Sequence, residues 1–115
     1  MVNPVSHNLN TFMEKELTMN KWHQQIVSAI KNREVLIIIY EYERRTIEPH
    51  AYGCSSENND VLKAYQTSGM RPGWRLFNAD QIKALVETGN NFKEPRRDYY
   101  HNDSGMKAKV YCQLQ

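Results

Sequence analysis

The sequence predicts a mainly β chain: a small, strongly bent antiparallel sheet or partly open barrel, capped by one helix near the N-terminus. Three observations carry this expectation. The stretch Val35-Leu36-Ile37-Ile38-Ile39-Tyr40 is the most apolar run in the chain and is almost wholly β-branched or aromatic. One helical stripe precedes it. Shorter runs follow at close spacing with alternating apolar residues, divided by Gly, Pro, Asn and Ser. Each short run needs neighbours to bury its apolar face, and a bent or closed sheet supplies them while removing exposed edges.

A chain of 115 residues is large enough for one core and too small for two, which argues against a multi-domain enzyme. With 40% hydrophobic and 24% charged residues the composition is that of a globular protein. The net charge of +2 is too mild to signal nucleic acid by itself, so a phosphate-binding face must be sought locally. Met1 to His7 lacks the basic and apolar regions of a signal peptide, and no run reaches membrane-spanning length. The expected setting is therefore cytoplasmic, with no membrane contact. There Cys54 and Cys112 stay reduced, and the Asn102-Asp103-Ser104 sequon goes unmodified.

Residues 1–19 read as a flexible arm, anchored at most by Phe12, Met13 and Leu17, with a capping-box spacing at Thr11 and Glu14. The domain proper spans 20–115. Asn20 is the expected N-cap of a helix whose stripe is Trp22, Ile26, Ala29 and Ile30 and which ends near Asn32. A strand over 35–43 follows at once, its first half covered on both faces and packed on that helix. A turn is expected at Arg44-Arg45, then a strand over 46–52 that Pro49 makes an edge or a bulge. Gly53 to Asn59 reads as a loop, 61–65 as a strand, Ser68 to Gly73 as a turn and 74–77 as a strand. Asn78 to Gln81 starts a helical turn that carries Ile82 inward, and 84–86 is taken as a strand broken by Gly89-Asn90-Asn91. Phe92 is a core plug and 93–104 a loop. In the last strand Ala108, Val110, Cys112 and Leu114 should face inward.

The order of landmarks resembles the WYL domain over roughly residues 22–92. It comprises Ala29-Ile30 at the helix end, an apolar strand closing on Tyr40, Arg45 with Pro49, Val61-Leu62-Lys63-Ala64-Tyr65, then Arg75-x-Phe77-x-x-Asp80-x-Ile82 and Phe92. Where that family carries its Trp-Tyr-Leu triplet this chain has Asp60-Val61-Leu62, so only the leucine is kept. The resemblance implies an Sm-like, SH3-type barrel that binds nucleic acid or a nucleotide-like ligand and regulates something, usually in bacteria or their phages. Most such domains are fused to a DNA-binding helix-turn-helix. The first 20 residues here are too short to hold one, so a free-standing member, or one that works through a partner, is expected.

The residues that bear on such a ligand fall into three groups. Arg44, Arg45 and Arg75 are basic residues able to line a ligand face, and Arg45 and Arg75 match the family's recurrent arginines. A guanidinium fork donates two parallel hydrogen bonds to phosphate. The bland alternative pairs Arg45 with Glu43 or Glu48 and Arg75 with Asp80 as surface ion pairs. Lys63 and Tyr65 share a strand face, with His50 and Tyr52 on a neighbouring strand, an arrangement suited to a stacked base and its phosphate. Against that, Tyr65 could be a core ring with its hydroxyl at the rim. Arg96-Arg97-Asp98-Tyr99-Tyr100-His101 is the densest basic and aromatic cluster, read either as an arm tracking a single strand or as a solvated loop.

Catalysis finds little support. The histidines 7, 23, 50 and 101 lack metal-ligand spacing, and neither a Gly-rich phosphate loop nor a serine elbow is present. Cys54, His50 and Asp60 lie within one short span, but nothing positions them as a nucleophile. The expectation is a non-enzymatic regulator without cofactor or metal that binds single-stranded nucleic acid or a nucleotide. The alternative is a protein-interaction module, such as a phage or mobile-element factor acting on a host protein. Whether the chain forms a homodimer is left open by the sequence.

Overall fold

The computed structural model describes residues 20–99 and 109–114. The arm 1–19 with its Thr11–Glu14 spacing, Tyr100, His101, the Asn102 sequon and Ala108 lie outside the described residues. Helix α1, His23–Asn32, turns Ile26, Ala29 and Ile30 fully inward. Trp22, not Asn20, is the N-cap and has no side-chain cap bond; Asn20 instead closes the turn just before the helix, its side-chain oxygen accepting from the Trp22 N–H at 2.9 Å and its carbonyl from the His23 N–H at 3.2 Å. Arg33 closes the helix in the left-handed region (φ 53), a conformation usually left to glycine. Its carbonyl accepts from the Phe92 N–H at 2.9 Å, which ties the end of the helix to the far side of the sheet.

The strands are β1 (Glu34–Tyr40), β2 (Glu43–Cys54), β3 (Asp60–Ser68), β4 (Gly73–Asn78), β5 (Ala84–Asn91) and β6 (Lys109–Gln113). All pairings are antiparallel, in the order β4-β3-β2-β1-β5, with β6 on β2. The sheet is not closed, so the barrel expected from so many short strands does not form through its ladders. β4 and β5 are its two outer strands, joined by a short link. A single 3-10 turn, Ala79–Gln81, capped by the Asn78 side chain on the Asp80 N–H at 3.1 Å, carries the chain from one outer strand to the other. The two lie on opposite edges of the sheet and do not pair with each other.

Several boundaries differ from the sequence reading: β2 runs over 43–54 rather than 46–52, β3 over 60–68 rather than 61–65, and β1 and β5 also end elsewhere. β1 ends at Tyr40, and the turn falls on Glu41-Tyr42 (φ 51 and 63) rather than on Arg44-Arg45. Tyr40 pairs with Glu43, so this is a two-residue hairpin whose central residues are both left-handed, the twist such hairpins need. Bulky residues usually avoid that geometry, so the turn was hidden. β5 runs on through Gly89-Asn90-Asn91, with Gly89 (φ 79) taking up the irregularity where β5 shifts register against β1.

Pro49 sits in a central strand, and the register explains why it is tolerated. One side of β2 pairs with β1 as far as Ile47 and with β6 from Ala51, so Pro49 falls between the two ladders. On the β3 side Pro49 faces Ala64 and Ala51 faces Lys63, which makes His50 the inserted residue of a bulge.

The core lies between α1 and the inner face of the sheet. It comprises Leu36, Ile38, Tyr40, Ile47, Tyr52, Leu62, Ala64 and Phe77 with the three helix residues, closed off by Ile82, Phe92 and Leu114. Each large apolar side chain there contributes about 1.5–3 kcal/mol by leaving water. The outer face of β1 is only half covered at Val35, Ile37 and Ile39, not shielded as the apolar run suggested. At the C-terminal end Leu114, just past β6, is buried and Cys112 packs on the core, while Val110, beyond the register shift at Tyr52–Gly53, is 36% exposed. No helix among the described residues is long and apolar enough to cross a membrane.

Candidate ligand-binding site

Toward the hairpin tips the inner face of the sheet changes from apolar to polar. Ile38 pairs with Arg45, Tyr40 with Glu43 and Ala64 with Arg75, so Arg45, Glu43 and Arg75 continue the inner rows beyond Tyr40 and Phe77. Gln66 joins them from β3 and is fully buried. The β1–β2 and β3–β4 hairpins wall off a concavity of about 470 Å³, lined by Glu41, Tyr42, Glu43, Arg45, Gln66, Met70, Arg71 and Arg75.

Arg45 is the floor of this hollow. Its side chain is 12% exposed, lies over the rings of Tyr40 and Phe77 (5.4 and 5.7 Å), and meets Glu43 at 3.1 Å and Glu41 at 3.6 Å. It also donates to the Gln66 side-chain oxygen at 3.2 Å and to the Tyr40 carbonyl at 3.3 Å. With most of its donors engaged, Arg45 supplies local charge rather than a grip on a ligand. Arg75 makes no ion pair with Asp80; it donates to the carbonyls of Trp74 (2.9 Å) and Arg71 and so braces its own hairpin. Two of its five donors are then used and the rest remain.

The β3–β4 loop is stapled over the hollow. The Met70 N–H donates to Glu43 at 3.2 Å, and Gln66 donates to the Arg71 carbonyl at 3.4 Å. Gly69 (φ 125) permits this closure: a Cβ there would lie 2.6 Å from the Gln66 side-chain nitrogen. The loop leaves the Arg71 side chain exposed at the rim, with Met70 83% and Tyr42 105% exposed.

The other sequence candidates lie elsewhere. Lys63 and Tyr65 share the outer face, with Lys63 5.3 Å from the Trp74 ring and Tyr65 edge-on to Trp74 at 5.5 Å. Arg96 covers Tyr65 at 4.0 Å and pairs with Glu48 at 2.8 Å, so the segment 95–99 lies across this face. Trp74 donates its indole N–H to Asp98 at 2.8 Å. His50 is fully buried among Trp74, Phe92 and Tyr99. Its Nε2 accepts from the Arg96 N–H at 3.0 Å, which places its proton on Nδ1, donating to the Glu48 carbonyl at 2.8 Å. Burial holds its pKa below 6.5, against the opposing pull of Glu48. His50 is therefore a neutral packing residue, not a ligand contact.

Tyr52 is likewise fully buried, because the bulge at His50 turns it to the inner face. Its hydroxyl meets the Asn20 amide and His23 Nδ1 (3.0 Å), and burial raises its pKa well above the ordinary tyrosine value. Asp60 accepts from Asn20 and from Tyr111, both at 2.9 Å, closing a polar cluster that ties α1, β2, β3 and β6 together. Tyr52 offers no stacking surface, and Asp60 is committed to structure. Cys54 lies 3.5 Å from the Ser55 carbonyl and the Asn58 side chain, away from the engaged nitrogens of His50, so the imagined nucleophile arrangement is not assembled. Both cysteines are free thiols. Arg44 is exposed on β2. Among the described residues no group of His, Cys, Asp and Glu is placed to hold a metal ion.

Sequence reasoning missed Arg71, Gln66 and Tyr42. Gln66 had a readable signal, since it continues the inward row Leu62, Ala64; Arg71 and Tyr42 lie in turns, where periodicity gives none. No protein-family model, curated protein or solved structure matches this chain.

Proposed function

We propose that the protein is a non-catalytic regulatory module of the WYL type, with an Sm-like or SH3-like sheet, that binds a phosphate-bearing ligand in the hairpin-tip hollow. The ligand class is a nucleotide or a short stretch of single-stranded nucleic acid. The observation that carries this reading is the meeting of Arg45, Arg71 and Arg75 on one concavity beside the exposed ring of Tyr42. Arg71 and Arg75 offer charge-assisted donors to phosphate, Arg45 sets the field from below, and Tyr42 presents a π-face to a base. The strand order, with a helix ahead of β1 and a 3-10 turn between β4 and β5, supports the fold part of the reading.

The test is binding of a labelled single-stranded oligonucleotide across a salt series. Binding should weaken steeply with salt, and Arg71→Ala should cost about tenfold in affinity, roughly 1.4 kcal/mol, without moving the melting temperature. Absence of binding at low salt would overturn it. One observation favours a second reading, a protein-interaction module: Glu41 and Glu43 offset much of the arginine charge, and Tyr42 with Met70 forms an exposed apolar rim.

A further inference from the structure

β6 has one edge on β2 and, from Lys109 to Cys112, a second edge that no described strand covers. The register shows why. β3 holds one side of β2 from Thr46 to Cys54, so β1 and β6 share the other side end to end. β5 covers the outer edge of β1 but stops at Asn91, opposite Glu34, and does not extend along β6.

A groove of about 580 Å³ runs there, lined by Ile30, Lys31 and Arg33 from the end of α1 and by every residue from Val110 to Leu114. Successive strand residues point to opposite faces, so an unbroken run of them cannot line a groove through one face. The groove therefore follows the backbone edge of the strand. Ile30, Val110 and Leu114 give it apolar patches, and Lys31 and Arg33 form the opposite wall, with Arg33 fixed by donation to the Lys93 carbonyl at 2.6 Å. Lys109 adds a third cation at the start of the strand, and none of the described lining residues is acidic.

We propose that this edge docks an extended, acidic peptide segment of a partner protein, which adds to β6 as a strand and sets its carboxylates against Lys31, Arg33 and Lys109. An edge of alternating N–H and C=O groups is matched by another peptide backbone. A phosphodiester chain carries acceptors only and leaves the strand's carbonyls unmet. Pairing of two copies edge to edge brings like charges together, which disfavours a second copy as the occupant. The proposal is independent of the hairpin-tip hollow, which lies at the other end of β2.

The probe is a labelled, end-capped peptide of alternating glutamate and valine, with the intact chain. It should bind saturably and slow amide exchange in β6. Lys31→Glu, an exposed change in the last helical turn, should weaken binding about tenfold, and Arg71→Ala should leave it unchanged. The same peptide N-methylated at every residue, which has no free N–H on either edge, should fail to bind. Equal binding of the methylated peptide, no binding of the parent, or exchange slowed only outside β6 would each overturn the proposal. So would concentration-dependent dimerisation that protects β6 without any peptide, since a second copy would then be the occupant.

Discussion

Two regions of this chain set arginine beside aromatic rings, and they use the guanidinium differently. On the outer face Arg96 lies on Tyr65, pairs with Glu48, and presents its main-chain N–H to His50, so ring and cation are parts of the packing that holds 95–99 to the sheet. In the hairpin-tip hollow Arg45 plays a similar part, but Arg71 and Arg75 stand around open space with donors to spare. The outer cluster has spent its polar groups on the fold, and the hollow has kept some. A basic and aromatic composition alone does not separate the two cases. What separates them is whether the partner groups are already supplied by the chain.

The largest effect that contrast predicts is on stability. His50→Ala would empty a fully buried site under three rings and leave the Arg96 N–H without its acceptor. A loss of about 2–4 kcal/mol is expected from cavity and unmet donor together. Oligonucleotide affinity per folded molecule should be unchanged, as measured by urea unfolding alongside the binding titration. If binding fell instead, the division between a packing region and a binding region would break.

Acid should act at the same place more gently, because protonation keeps the ring. Burial lowers the folded-state pKa of His50 below 6.5, with Arg96 acting in the same direction and Glu48 and Asp98 opposing. The native state thus binds its proton less readily than the unfolded chain does. The stabilising contribution is complete above pH 6.5 and is lost as pH falls through the lowered value. Urea midpoints between pH 7.5 and 5 should fall with acid more steeply for the native chain than for His50→Phe. Equal slopes would mean that His50 titrates freely.

Much of the fold was readable, and the misreadings share a cause. The helix, the apolar strand, the Ile82 and Phe92 plugs and the bulge at Pro49 follow from side-chain period and from proline's missing donor. The Glu41-Tyr42 turn was not readable, since left-handed glutamate and tyrosine carry no local signal and are held there by the Tyr40–Glu43 pairing. That shift moved Arg44 and Arg45 from a tip into a strand and put Arg45 on the inner face. Tyr52 was misplaced by one inserted residue, because a bulge reverses the faces that alternation assigns, whereas His50 stays with the outer-face rings and is buried beneath Trp74 and Tyr99. Arg45 and Arg75 were both readable as candidates for a ligand face, whereas Arg71 and Gln66 needed the hairpin register.

The smallest effect tests the line between the regions most finely. Lys63, a sequence candidate for the ligand's phosphate, lies on the outer face 5.3 Å from the Trp74 ring, across the sheet from the hollow. Its ammonium therefore belongs with the packing cluster, where a cation over an indole is worth about 0.5–1 kcal/mol at an exposed site. Lys63→Gln keeps the length of the side chain and removes the charge. It should lower the unfolding free energy only slightly and should leave both oligonucleotide affinity and its salt slope where they were. Arg71→Ala should do the reverse, lowering affinity and flattening the slope while the unfolding curve stays in place. If Lys63→Gln also flattens the salt slope, nucleic acid crosses the outer face, and the two regions are one continuous surface.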